Sequence, residues 1–179
     1  MNKEIPQDLP SYFRAHPEQF VLKGNTSKKI INGVLFAIFL GLMIYPEITP
    51  AGELWIWRII AGIGMAYTGF SIWLGSDFYN KQTQTKIVQA SIKKFDSSAT
   101  TEKDLISLLE NENFRELANI PSKDNQPLQL YVYEDVAGKA FYLLLMKYFS
   151  SSDFRGITPV KIISGAEYDK HKPMIQALK

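Results

Sequence analysis

The chain has 179 residues, of which 46% are hydrophobic and 21% are charged, and its formal net charge is +2. This length and composition exclude a large multidomain enzyme and an intrinsically disordered chain. The charge is too small and dispersed for a protein that coats nucleic acid, so we expect no DNA partner. The absence of cysteine excludes disulfide scaffolds, thiol catalysis and cysteine-based zinc sites.

Residues 1–29 predict an amino-terminal segment rather than a domain. Three prolines alternate with aromatic residues, which favours an irregular stretch or a short helix around residues 10–20. We expect this segment to be cytoplasmic. Its aromatic side chains should lie on a membrane surface or dock on a cytosolic domain.

Two long apolar runs follow, over residues 30–45 and 54–75. A membrane core of about 30 Å needs about 20 helical residues, so the first run is slightly short unless its flanking lysines reach the interface. Tryptophans near both ends of the second run are typical of membrane–water interfaces. The sequence therefore predicts a transmembrane hairpin over residues 30–75. A buried hairpin of a soluble protein is the alternative.

The charges around the two runs predict an orientation. Lysines precede the first run and follow the second, whereas the connecting loop has two glutamates and no basic residue. By the positive-inside rule, we expect both termini of this multi-pass protein to lie in the cytoplasm. The lipid bilayer is then one of its expected partners.

Small and polar residues inside the runs indicate how the helices associate. The small residues, which let helices approach closely, are Gly33, Ala37, Gly41, Gly62, Ala66 and Gly69. They predict either a hairpin closed on itself or packing against neighbouring subunits. Asn32 and Arg58 predict a helix–helix hydrogen bond and an interfacial anchor, or the lining of a pore. A two-helix hairpin can form a pore only as an oligomer.

Residues 76–179 predict a cytosolic α+β domain. Apolar spacing over residues 77–95 indicates an amphipathic helix that continues the second membrane helix. Thr101 and Asp104 resemble a capping box, which predicts a helix over residues 102–111.

Three strands are expected after that helix. Apolar alternation predicts a half-buried strand at 128–133, and the apolar run 140–149 predicts a central strand. Residues 157–164 read as an edge strand because Pro159 cannot donate to a ladder. A last helix over 166–178 completes the predicted fold: a membrane α-helical hairpin of two transmembrane helices plus a small cytosolic α+β domain with an antiparallel sheet of about three strands.

The search for chemistry is mostly negative. His16 and His171 are the only histidines, and no zinc-ligand, nucleophile-elbow or phosphate-loop pattern is present. His171, between two lysines, is interpreted as solvated surface, and the adjacent Glu134 and Asp135 as turn residues. We therefore expect no enzymatic activity, no cofactor and no metal.

A ligand site is better supported. One loop combines hydroxyls with an arginine, which suits phosphate or carboxylate oxygens, and one strand presents two tyrosines that could stack on a base. The alternatives are an ordinary polar turn and a covered sheet face. The candidate ligand residues are Ser150, Ser151, Ser152, Arg155, Tyr131 and Tyr133.

The order of elements resembles a known family. Apolar runs at 30–45 and 54–75 followed by an α+β region are similar to the two-helix membrane effectors of bacterial antiviral defence, including type III CRISPR-associated membrane proteins. The resemblance implies a location in the bacterial inner membrane, a homo-oligomer, specifically a tetramer, and cyclic oligoadenylate as ligand. It also implies that ligand binding disrupts or permeabilises the membrane.

Two functional hypotheses follow. The first is an oligomeric inner-membrane effector whose cytosolic domain binds a cyclic oligonucleotide. The second is a non-enzymatic subunit of a secretion, conjugation or other envelope assembly, with the cytosolic domain as a protein-docking module.

Overall fold

The computed structural model describes residues 4–49, 53–74, 76–150 and 153–178. The chain forms two compact units. The helical unit is Leu22–Asp77, and the sheet unit comprises the chain up to Val21 together with the chain from Phe78 onward.

The elements follow one another in a mixed order. The helices are α1 (Leu9–Ala15), α2 (Thr26–Ile44), α3 (Leu54–Leu74), α4 (Glu102–Glu110), α5 (Phe114–Asn119) and α6 (Ala166–Gln176), with a 3₁₀ turn at Pro46–Ile48. The strands are β1 (Phe20–Gly24), β2 (Ser76–Asn80), β3 (Val88–Lys94), β4 (Leu128–Asp135), β5 (Ala140–Phe149), β6 (Asp153–Gly156) and β7 (Lys161–Ser164).

The helical unit is built from α2 and α3, which pack against each other. The side chain of Asn25 caps α2 by accepting a hydrogen bond from the Lys28 N–H at 3.0 Å. The ring of Phe39 lies directly against Gly64, where there is no room for a Cβ atom. No residue of α2 is buried, and from Ile30 to Ile44 every exposed side chain of the helix is apolar.

One helix of the described chain, α2, is long and apolar enough to cross a membrane. The prediction of two transmembrane helices over residues 30–75 is therefore wrong. The length of α3 is not what excludes it as a membrane span, because α3 has 21 residues and α2 has 19. Within α3, the charged Arg58 and the polar Tyr67, Thr68 and Ser71 oppose transfer into lipid.

The sheet unit is organised around a five-stranded antiparallel sheet. Its order is β3-β4-β5, and the other edge of β5 is shared by β6, beside residues 146–149, and β7, beside residues 140–143. Strands β1 and β2 form a separate two-stranded sheet.

Side-chain alternation gives this five-stranded sheet two buried faces. Leu130, Val132 and Leu143 lie in one apolar cluster with residues of α4, α5 and α6. Tyr142 and Leu144 lie in a second cluster with residues of α1. The amino-terminal segment therefore docks on the domain, one of the two placements that the sequence allowed.

The predicted fold class is also wrong in its strands. The described residues form seven strands in two sheets, not about three. The helix predicted over residues 77–95 is replaced by β2 and β3. Within that stretch, Ile87 and Phe95 belong to apolar clusters on opposite faces of the larger sheet.

Several individual elements are confirmed. α4 begins at a full capping box, in which Thr101 and Asp104 exchange hydrogen bonds. The strand predicted at 140–149 is β5, and the last helix runs over Ala166–Gln176 with Pro173 inside it. The strand predicted at 157–164 is reduced to β7, and β6 forms before it.

The contact between α2 and α3 gives a testable prediction. Gly64→Ala is expected to destabilise the full-length protein by about 1–3 kcal/mol, because the new methyl group overlaps the Phe39 ring. Gly62→Ala is the matched control, since a Cβ there meets nothing within 4 Å. It should be neutral or stabilising, because alanine favours helix. Thermal unfolding in one detergent compares the two variants, and equal midpoints would contradict this packing.

Candidate functional site

A groove lies on the α1-bearing face of the sheet, at the edge where β3 and β5 end and β4 and β6 begin. It consists of two adjacent depressions of about 370 Å³ and 340 Å³ that share Lys94. Ligand pockets typically measure about 300–1,000 Å³, so each is large enough for a small molecule. We call this feature the Lys94 groove. Its lining is Ile92, Lys94, Ser122, Lys123, Asp124, Asn125, Gln126, Pro127, Gln129, Tyr148 and Phe154.

Strand register brings the lining residues together. Lys94 is opposite Gln129 in the β3–β4 ladder, and Tyr148 is opposite Phe154 in the β5–β6 ladder. Opposed residues of an antiparallel pair point to the same face. The rings of Tyr148 and Phe154 pack with centroids 5.4 Å apart, which gives the groove an aromatic wall.

The loop before β4 is held rigidly beside this wall. Asn125 adopts a left-handed conformation with φ of 57°, which asparagine tolerates better than most residues. The Gln126 side-chain oxygen accepts hydrogen bonds from the Ser97 N–H at 3.0 Å and hydroxyl at 2.7 Å. The Gln129 amide donates to the Gln126 carbonyl at 3.2 Å. These contacts fix the loop without a ligand.

The groove carries more positive than negative charge. Lys94 Nζ lies 2.7 Å from an oxygen of Asp124, whose side chain is 86% exposed. The hydrogen bond from Lys94 lowers the pKa of the Asp124 carboxyl. Lys123 adds a second cation to the same wall. An exposed ion pair contributes little to the stability of a protein. An anionic ligand can therefore replace Asp124 as the partner of Lys94.

Arg155 lies on the opposite side of the sheet from the Lys94 groove. It is paired in register with Lys147, whose ammonium reaches Glu102 of α4 at 2.7 Å. Arg155 itself forms a 2.6 Å ion pair with Asp153. Ser150 lies in the turn after β5, while Ser151 and Ser152 fall outside the described residues.

Tyr131 and Tyr133 lie on the α1-bearing face, and α1 packs over them. The Tyr133 ring is 5.8 Å from that of Phe13, and its hydroxyl donates to Gln89 at 3.1 Å. Burial raises the pKa of Tyr131 and of Tyr133. The structure thus separates the two tyrosines from Arg155, which lies on the other face of the sheet.

The predicted small residues of the helical unit mostly face outward. A Cβ added at Gly33, Gly41 or Gly62 meets nothing within 4 Å, and Ala37 and Ala66 are exposed. The exception is Gly69, which contacts the Phe36 ring across the helix pair.

The two polar residues singled out in the helices differ in exposure. Asn32 is half-buried and Arg58 is exposed. The contacts of α2 with α3 instead use Gly64 and Gly69 against phenylalanine rings.

Comparison with known proteins adds no identification. No protein family, characterised protein or solved structure matches this chain. Functional assignment therefore rests on the geometry of the described residues.

Sequence reasoning missed the residues of the Lys94 groove. Phe154 lies next to Arg155 in the predicted ligand loop, but only the serines and the arginine of that loop were predicted to bind a ligand. Lys94 was assigned to a helix, and its approach to Gln129 depends on a strand pairing between residues 35 positions apart (129 − 94). The turn character of Asn125 was the available local signal, since it follows Asp124 in a loop bounded by prolines.

The groove offers groups that are suited to holding an anion. Two cations, amide side chains and an aromatic wall can hold an anionic ligand that carries a planar group. The lining among the described residues contains no histidine.

Proposed function

We propose that this protein is a membrane-attached effector whose α+β domain binds a nucleotide-like anion in the Lys94 groove. The observation that carries the proposal is the exposed apolar surface of α2, joined in one chain to a domain with a cationic and aromatic groove. The ligand class rests on lysines for phosphate oxygens and on the Tyr148 and Phe154 rings for a base.

Membrane attachment is supported by the exposure of large apolar side chains. Ile30, Ile31, Ile38 and Ile44 on α2 are each more than half exposed. Soluble monomers rarely expose continuous apolar surfaces of this kind, so a lipid environment is the natural cover. A bacterial inner membrane, with the sheet unit in the cytoplasm, is the proposed location.

Self-association is supported by the open small residues of α2. Gly33 and Gly41 leave room for a neighbouring helix to approach closely, since apart from their own helix backbone no described atom lies within 4 Å of an added Cβ. We therefore include a homo-oligomer in the proposal. Cross-linking in detergent of the parent and of Gly33→Leu tests it, and loss of the cross-linked species is the expected result.

Flotation on lipid vesicles tests the attachment. The full-length protein should float with vesicles in high salt, because apolar contacts survive the screening that removes electrostatic ones. Replacing Ile31 and Ile38 with glutamate should move it to the soluble fraction. Soluble behaviour of the parent in high salt would contradict the proposal.

Ligand binding gives the second experiment. Cyclic oligoadenylates are the first probes, and Lys94→Ala is expected to weaken binding about tenfold or more, since a charge-assisted hydrogen bond contributes about 1.5–3 kcal/mol. Calorimetry on the full-length protein measures the affinity. Arg155→Ala is the matched control, because it removes a cation from the opposite face.

The outcomes separate two locations for the ligand. Weakening by Lys94→Ala alone supports the Lys94 groove, and weakening by Arg155→Ala alone supports the site predicted from the loop sequence. No binding by the parent to any linear or cyclic oligonucleotide would end the nucleotide proposal. Vesicle leakage on addition of a bound species would then test permeabilisation.

Docking of a protein partner is the second candidate function. The observation that favours it is the place of β3 at one edge of the sheet, with Val88, Gln89 and Ala90 exposed. An edge strand can pair with an extended segment of another protein. Ala90→Pro should abolish co-purification of such a partner while nucleotide binding persists.

A further inference from the structure

Three side chains of types that can ligate a metal lie close together, and none of them lines the Lys94 groove or has a part in the proposed function. Glu167 and His171 are one turn apart on α6, and Glu112 lies in the connection between α4 and α5. His171 Nε2 is 3.0 Å from Glu167 Oε2 and 3.6 Å from Glu112 Oε2. All three donor atoms lie within 4.8 Å of one another.

These separations match the coordination shell of a transition metal. Zinc binds nitrogen and carboxylate oxygen at about 2.0–2.2 Å, so two donors of a tetrahedral site are about 3.3–3.6 Å apart. The two distances from His171 fall close to that range. A pair of ligands four residues apart on a helix is also the spacing by which helical zinc sites present two donors on one face.

His171 is not the solvated residue that its sequence neighbours indicated. Its side chain is only 9% exposed, and its ring packs edge-on against Phe114 at 5.1 Å. Its Nδ1 atom is buried without a hydrogen-bond partner among the described residues. Burial therefore holds the ring with Nε2, a possible metal ligand, directed at two carboxylates.

The neighbouring lysines leave donor atoms for an ion. Lys161 Nζ contacts Glu112 at Oε1, 2.7 Å away, so Oε2 remains directed toward His171. Lys170 Nζ lies 2.8 Å from Glu167 Oε2, and the Lys170 side chain is 63% exposed. A divalent cation would therefore compete with Lys170 and keep Lys161 as an outer hydrogen-bond partner.

We propose that Glu112, Glu167 and His171 bind a divalent transition-metal ion, with Zn²⁺ the best match. One imidazole and two carboxylates are a ligand set that zinc accepts, and water completes the shell. The ion joins α6 to the α4–α5 connection, so its role is structural. The proposal departs from the expectation of no metal drawn from the sequence.

Zinc titration of the tag-free, full-length protein in detergent tests the proposal. The chain has two histidines and no cysteine, so little other high-affinity binding competes. We expect one ion per chain, and at least about tenfold weaker binding in Glu167→Gln and in His171→Ala. His16→Ala is the matched control and should bind like the parent.

Lys170→Ala provides a readout that a merely structural role would not give. It removes the cation that competes for Glu167 Oε2, so zinc binding should tighten. Glu167→Gln covers the case in which His171→Ala fails to fold, because the glutamine keeps the size of an exposed side chain. No binding to the parent, or binding lost in His16→Ala and retained in Glu167→Gln, would overturn the proposal.

Discussion

Asp135→Ala is expected to destabilise the protein by about 3–5 kcal/mol, a large part of the 5–15 kcal/mol by which a domain is usually stable. Asp135 is fully buried at the end of β4. Its carboxylate accepts hydrogen bonds from the Asn80 amide at 2.8 Å, the Thr85 hydroxyl at 2.8 Å and the Gly138 N–H at 2.9 Å. Removing the carboxylate leaves these donors without an acceptor.

Asp135→Asn is the control that isolates the acceptor role. It keeps the shape of the side chain but replaces one acceptor oxygen with a donor, so one hydrogen bond becomes a clash between donors. An intermediate loss is therefore expected. Denaturant unfolding of the full-length variants measures both changes. An alanine variant as stable as the parent would mean that Asp135 does not hold the segment of residues 80–85.

The two acidic residues at the end of β4 illustrate what sequence reasoning could and could not reach. The interpretation of Glu134 and Asp135 as turn residues is wrong, because both are buried at the end of strand β4, where they point to opposite faces. Glu134 accepts a 2.6 Å hydrogen bond from the Tyr168 hydroxyl, and Asp135 binds residues 80–85. Nothing local in the sequence indicates partners 34 and 50 positions away.

Local signals explain the elements that were predicted correctly. The capping box at Thr101 and Asp104 marks α4, and the apolar run of β5 marks the central strand. Both depend on neighbouring residues in the chain, which is why pattern and capping were sufficient.

Longer-range pairing explains the errors. β3 follows a helix-like spacing of apolar residues, and only its pairing with β4 reveals a strand. β6 has four residues and no strong strand pattern, so its ladder with β5 defines it. The Lys94 groove requires both pairings, and for that reason it could not be read from the sequence.

Helix α1 covers one face of the sheet, and removing a buried side chain from it is expected to cause the second large loss of stability. Phe13 is 1% exposed and lies at the centre of an aromatic cluster, with ring centroids 4.9 Å from Phe20, 5.3 Å from Phe78 and 5.2 Å from Tyr142. Phe13→Ala is expected to cost about 3–5 kcal/mol, because it removes a large buried ring and leaves a cavity.

Titration of the tyrosines tells whether α1 has left the sheet. Burial raises the pKa of Tyr142 to about 12, above its ordinary value of 10.0, because an apolar environment disfavours the phenolate. The folded protein therefore loses stability as the pH rises from about 10 toward 12. If Phe13→Ala uncovers Tyr142, its pKa should fall toward the ordinary value.

Arg14→Ala is the matched control for this measurement, since Arg14 is an exposed residue of the same helix. Spectrophotometric titration and limited proteolysis of the full-length proteins should agree on whether α1 has left the sheet. The Phe13 variant should ionise Tyr142 at lower pH and be cleaved in its amino-terminal segment, while the Arg14 variant behaves as the parent. An unchanged Tyr142 titration with a resistant amino terminus would mean that α1 holds its place without Phe13, through Leu9 and Phe20.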